Sequence, residues 1–136
     1  MSDANPKQAF GDKKIPLHLV PPAAAAYIAV GMREGATKYG AWNYRDTHIE
    51  MMTYLGAMKR HLDALLEGEW IDDDDMFMPD GTPILDLPKK PHLAGLMASA
   101  AILADQYEMG TVIDNRPKPN KGYGQFMKDN QRISEK

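Results

Sequence analysis

The chain has no cysteine, which excludes a disulfide framework, thiolate metal sites and a cysteine nucleophile. That usage suits a reducing cytoplasm, the expected location. Charge of one sign is also missing: a formal net charge of −3 over 136 residues makes no case for binding nucleic acid or an anionic membrane. No run is apolar enough to cross a bilayer. Ile15 to Met32 carries no formal charge, but it holds His18 and Pro21-Pro22 and ends alanine-rich, whereas a span needs about 20 strongly apolar residues. Neither does it have the basic start and short apolar core of a signal peptide. The glycines do not make a phosphate-binding loop, because G-x-x-x-x-G-K-[ST] is missing. The few serines are terminal or, like Ser99, on a helix, so no serine–histidine–acid arrangement stands out.

What the sequence does have is helical periodicity. The length predicts one domain over residues 1–136, large enough for a core. It divides into an N-terminal arm (1–20), a helical core (21–110) and a tail (111–136). Residues 1–14 are polar and expected to be unstructured at the outset. Ile15, Leu17 and Leu19 then alternate with other residues, as in an extended arm lying along the domain. Pro21-Pro22 suits the first turn of a helix that stops near Tyr39, with Gly40 as its cap. After the loop AWNYRDT, Asp46 or Thr47 can cap a second helix, from about His48 to at least Leu66, where Gly68 ends or bends it. Its Met51, Leu55, Met58, Leu62 and Leu65 form one apolar stripe.

The stretch from Asp73 to Pro91, with PDG and four prolines, is expected to be irregular and exposed. At roughly 18 residues it is longer than a connection normally needs. A third helix, HLAGLMASAAILADQYEMG, turns Leu93, Leu96, Met97, Ala100, Leu103 and Tyr107 to one face and stops at Gly110. A short helix is expected near Gln125 to Asn130. Charge is uneven: Asp63 to Asp86 holds nine acidic residues and no basic ones, while Asn115 to Lys136 holds six basic and two acidic. No convincing strand is present beyond the arm, so the fold class is all-α.

The second helix closes with two carboxylates, Glu69 and Asp72. Continued at about 100° per residue, it puts Glu69 at the centre of the apolar stripe and Asp72 roughly 60° to one side. Inward carboxylates are costly unless a cation compensates them, and oxygen-rich sites select Mg²⁺ or Mn²⁺. His61 sits at the edge of the same stripe, and His92 opens the third helix. Taken singly, each histidine is a polar residue at a helix margin. Together with Glu69 and Asp72 they would form a mixed site that Mn²⁺ accepts. The loop GATKYGAWNYR gathers Lys38, Tyr39, Asn43, Tyr44 and Arg45: cations for a triphosphate and aromatic groups for a base, or an ordinary polar connection. Arg60 lies opposite the stripe and faces solvent or a neighbouring subunit. Glu34 is either a third inward carboxylate or the i,i+4 partner of Lys38.

Four segments, GDKKIPLHLVPP, REGATKYGAWNYR, RHLDALLEGEWID and PHLAGLMASA, occur in that order. They resemble the dATP/dGTP diphosphohydrolase family of phages and bacteria, whose pattern runs D-x-x-K-x-x-L-x-L-x-P-P, G-A-x-K-Y-G-x-x-N-W-R, R-H-x-x-A-x-x-x-G-E-x-x-D and H-L-x-H-A. The likeness covers about residues 11–105 of the chain. That family is similar to the MazG-like all-α nucleoside triphosphate pyrophosphohydrolases, and this chain resembles its phage members associated with 2-aminoadenine synthesis.

The resemblance implies a MazG-like helical bundle that cleaves a purine deoxynucleoside triphosphate to the monophosphate and pyrophosphate. It also implies Mg²⁺ or Mn²⁺ ions, a dimer or tetramer, and the host cytoplasm for a phage-encoded protein. By position, Glu69 and Asp72 match the catalytic and metal-binding G-E-x-x-D. Arg60 and His61 match R-H, and His92 matches the first histidine of H-L-x-H. Lys38, Asn43 and Arg45 match the substrate-binding loop. Tyr44 stands where the pattern has tryptophan, Gly95 where it has a second histidine, and His18 where the arm has an acidic residue. A long insertion follows Asp72, and the E-x-x-E and E-x-x-D signature of the wider group is not present as such.

Two functions follow. One is a metal-dependent pyrophosphohydrolase in which Glu69, Asp72, His92 and His61 hold the metal, while Lys38, Asn43, Arg45 and Arg60 hold the nucleotide. The other is a non-catalytic helical module that binds a nucleotide or a partner, with ten methionines supplying adaptable surfaces. An exposed helical stripe predicts a homo-oligomer in either case.

Overall fold

The computed structural model describes residues 5–133, so the first and last few residues of the expected arm and tail lie outside it. The arm is not extended. Asn5 caps a short helix, α1 (Pro6–Gly11), by accepting a hydrogen bond from the Lys7 backbone at 2.8 Å. The polar stretch expected to lack structure therefore has a helix in it. Leu17–Leu19 then forms a 3-10 turn, and Ile15, Leu17 and Leu19 are 80%, 75% and 70% exposed. An alternating arm needs a surface to lie on, and within one chain these residues have none.

Helix α2 (Pro22–Tyr39) starts on proline and ends at Gly40, whose φ of 94° is open to glycine. After a 3-10 turn at Asn43–Asp46 comes strand β1 (Ile49–Glu50). Helix α3 (Met51–Leu66) therefore starts three residues later than the sequence indicated, and neither Asp46 nor Thr47 caps it. The reason is tertiary. Ile49 and Glu50 pair in parallel with β4 (Val112–Ile113), and the Asn115 side chain accepts the Met52 N–H at 2.9 Å. A distant residue satisfies the first turn that a local cap would have served.

The end of α3 overturns the helical-phase argument. Gly68 has φ of 89°, its N–H reaches Leu65 O at 3.0 Å, and the Glu69 N–H reaches Ala64 O at 2.9 Å. These two bonds stop the helix and reverse the chain. Glu69 and Asp72 thus leave the helix. Asp72 lies in β2 (Ile71–Asp72), antiparallel to β3 (Lys90–Pro91), with Asp72 opposite Lys90. The acidic excursion between these strands is closed at its neck and is not wholly exposed. Phe77 bridges to Pro83, and Met76 and Ile84 are buried.

Helix α4 (His92–Met109) ends at Gly110, φ 75°, and packs on both α2 and α3. Its buried residues are His92, Ala94, Gly95, Ala98 and Gln106, not the larger residues of the expected face, and Tyr107 is 64% exposed. A helix flanked on two sides packs closely where its side chains are small. Gly31 of α2 lies directly against the Ala94 carbonyl and Ala98, so even a methyl group there would collide. Buried Gln106 donates to the Tyr44 carbonyl and accepts from the Thr111 hydroxyl, tying the 3-10 turn and the β4 entry to α4. Helix α5 (Tyr123–Asp129) is exposed along its length. The four strands are two-residue pairings around a helical body, and the class is all-α as expected. No helix among the described residues is long and apolar enough to cross a membrane.

Candidate metal and nucleotide site

The reversal at Gly68 brings the end of α3, strand β2 and the start of α4 to one point. The backbone N–H of His92 bonds Trp70 O at 2.8 Å, fixing β2 against the first turn of α4. There His61 Nδ1 and His92 Nδ1 lie 2.9 Å apart, and His92 Nε2 lies 2.6 Å from Glu69 Oε1. One donor atom each from His61, Asp72 and His92 falls within 4.8 Å of the others. His92 is buried, His61 and Asp72 are half-buried, and Glu69 is exposed. Burial holds the His61 imidazole below its ordinary value, and neighbouring His92 adds to that.

The donors fit a divalent transition metal. Two nitrogens bound at right angles to one ion, each about 2.1 Å away, lie about 3 Å apart, and the two imidazoles meet that spacing. Glu69 stands differently from Asp72. In the tautomer with His92 Nε2–H donating to Glu69, Nδ1 would be left as an acceptor facing the cluster, and Glu69 would orient that ring as outer carboxylates orient metal-bound imidazoles.

Gly95 has a clear physical role beside this cluster. A Cβ built there would sit 2.6 Å from His61 Nε2. The space a larger residue would take is filled by the His61 ring.

Lys90, which sequence reading passed over, belongs to the same place. Its side chain is 14% exposed and its Nζ lies 2.8 Å from Glu34 Oε1 and 4.0 Å from Asp72 Oδ2. Lys38 takes the other oxygen of Glu34 at 2.7 Å. Glu34 is therefore the i,i+4 partner of Lys38 and also holds Lys90. Only the register of β2 with β3 puts Lys90 there, and no local pattern carries that register.

Burial acts to raise the Glu34 carboxyl, but hydrogen bonds from Lys38 and Lys90 outweigh it and hold the group below its ordinary 4.5. A depressed carboxyl stabilises the fold above its unfolded value and loses that contribution as pH falls through the folded one. Wild type is therefore expected to exceed Glu34→Gln in urea stability near neutral pH, with the gap closing below about pH 4.5. A gap constant down to pH 3 would refute this coupling.

The remaining candidates lie elsewhere. Arg45 is paired with Asp105 of α4 through two hydrogen bonds, 2.9 and 2.7 Å, and its guanidinium covers the Trp42 ring at 4.6 Å. The hydrogen bond from Arg45 holds the Asp105 carboxyl below the ordinary range. Arg45 braces the loop on α4 through Nε and Nη2. Asn43 lines a cavity of about 450 Å³ between α2 and this loop. Arg60 is exposed and makes no ion pair among the described residues.

Compared with protein-family models, residues 4–116 match one described as dATP/dGTP diphosphohydrolase, N-terminal. Neither curated proteins nor solved structures give a match.

Proposed function

Since this chain belongs to the dATP/dGTP diphosphohydrolase family and is thereby a hydrolase, we propose that it converts dGTP and dATP to the monophosphate and pyrophosphate at the His61–Asp72–His92 cluster. The observation that carries this reading is the convergence of those three donors within 4.8 Å. Mn²⁺ or Mg²⁺ would be held there, and two imidazoles favour Mn²⁺. Such an ion, when bound, activates water and polarises a phosphoryl oxygen. Water supplies the oxygen that joins the α-phosphorus, the bond to the α–β bridging oxygen breaks, and pyrophosphate leaves.

The chain's own groups do the rest. Asp72 contributes a carboxylate to the cluster, and Glu69 fixes the His92 ring through Nε2. Lys90, 4.0 Å from Asp72, and Lys38, paired with the same Glu34, would offer ammonium groups to phosphate oxygens. Arg45 keeps the nucleotide loop in place through Asp105.

The test is pyrophosphate release from dGTP and dATP with Mn²⁺, expected to cease when the metal is chelated. Nucleotide binding without any release would sink the proposal.

We also propose that the chain works as a homo-oligomer. It exposes 10850 Å², against about 7100 Å² expected for a compact monomer of this mass. Phe10, Ile15, Leu17, Leu19 and Val20 all lie open. Light scattering of the purified protein should give at least twice the chain mass; a monomer would contradict the proposal.

A further inference from the structure

The cavity beside the Trp42 loop has no part in the metal cluster, yet it is built with unusual care. It measures about 450 Å³, and Gly35, Tyr39, Trp42, Asn43, Tyr44 and Tyr54 are among its lining. Sites for small organic ligands share that size and mostly apolar character, with a few polar groups placed to orient the ligand. Trp42 is the sole non-glycine residue with positive φ among those described, at 65°. Strain of this kind persists where surrounding contacts enforce it, and it concentrates at ligand sites. Here the enforcing contact is Arg45, stacked on the indole at 4.6 Å and held by both oxygens of Asp105. The loop thus keeps a rigid aromatic wall that no packing need of the core explains, since Trp42 is 60% exposed.

Helix α2 joins this cavity to the cluster. Gly35 and Tyr39 line the cavity, while Glu34, one position before Gly35, holds both Lys38, one position before Tyr39, and Lys90. A ligand with an aromatic ring in the cavity would need only to cross the face of α2 for its charged end to reach the lysines.

We propose that this cavity receives the purine ring of the substrate and that Asn43 reads the ring edge. The proposal rests on the hydrolase reading above and names the base-binding part of that site. Adenine and guanine share the N7 acceptor but differ beside it, an amino donor in one and an oxo acceptor in the other. A carboxamide carries both a donor and an acceptor. Turned one way it serves adenine, and turned the other it serves guanine. Asn43 accounts for one pocket accepting both purines, which a fixed donor or a fixed acceptor would not.

Two variants test it. N43D offers acceptors only, so the ratio of kcat/KM for dATP over that for dGTP is expected to rise about 10-fold or more. Loss of folding would not produce such a shift in ratio. G35L places a side chain where an added Cβ meets nothing within 4 Å. It is expected to fill the cavity and raise KM for both nucleotides about 10-fold with kcat little changed.

Calorimetry with dAMP and dGMP in chelator makes the test independent of turnover. Wild type should bind both, G35L neither, and N43D should prefer dAMP. Unchanged ratio, KM and monophosphate binding in both variants would overturn the base site while leaving the hydrolase reading intact. Loss of self-association in G35L with unaltered nucleotide parameters would also overturn it, since a second copy would then occupy the cavity. Monophosphate binding that depends on Gly35 and Asn43, without any triphosphate hydrolysis, would keep the base site and refute the hydrolase reading.

Discussion

Asp72→Asn is expected to lower hydrolysis of dGTP and dATP by more than about 100-fold, and Glu69→Gln by about 10–100-fold, the range typical of losing an outer partner of a metal ligand. The two carboxylates look equivalent in the sequence, three residues apart in one motif. The fold separates them. Asp72 sits in β2, 4.0 Å from the Lys90 ammonium, with a donor atom in the cluster of His61 and His92. Glu69 is turned outward with its side chain 59% exposed, and it touches the cluster only through His92. Steady-state kinetics with Mn²⁺ would measure the order. Equal losses would mean that both carboxylates ligate, and a larger loss for Glu69 would reverse the assignment of roles. Circular dichroism should show both variants folded, since neither residue supports a helix.

A second large effect is expected at a residue with no chemistry of its own. Gly95→Ala should lower Mn²⁺ affinity and kcat/KM by about 10–100-fold, because the added methyl meets the His61 ring at 2.6 Å. Overpacking of this kind destabilises a core by about 1–3 kcal/mol, so stability should fall as well. The double variant His61→Gly, Gly95→Ala separates the effects. With the ring gone the methyl has room, so the Gly95→Ala cost in stability should largely vanish, while activity stays low. Additive costs would show that Gly95 is not coupled to His61.

Much of the helical frame is legible in the sequence because its signals are local. Proline opens α2, glycine closes α2 and α4, and the predicted ends at Gly40 and Gly110 agree with those observed. What failed was set by distant partners. Pairing of Ile49–Glu50 with Val112–Ile113 delays α3, and pairing of Asp72 with Lys90 organises the end of the long excursion. The α4 face was misjudged because size, not hydrophobicity, decides which side of a doubly flanked helix goes deepest. Ala94 and Ala98 are buried, while the leucines beside them are only half so.

The site shows the same division. Glu69 and Asp72 were singled out by continuing a helical phase past Gly68, and the chain in fact turns there. They meet His61 and His92 through that turn rather than through a helix face. Lys90 went unnoticed because it lies in a run of prolines and lysines with no periodicity, and only the β2–β3 register gives it a role. Arg45 drew attention as a cation in a suggestive loop, but its partner, Asp105, is 60 residues away.

Mn²⁺ binding followed by electron paramagnetic resonance in wild type, Asp72→Asn and His61→Gln tests the central claim most directly. The account predicts Mn²⁺ bound in the wild type, with binding and pyrophosphate release lost together in both variants. Undiminished Mn²⁺ binding in both, or pyrophosphate release from metal-free wild type at the full rate, would contradict it.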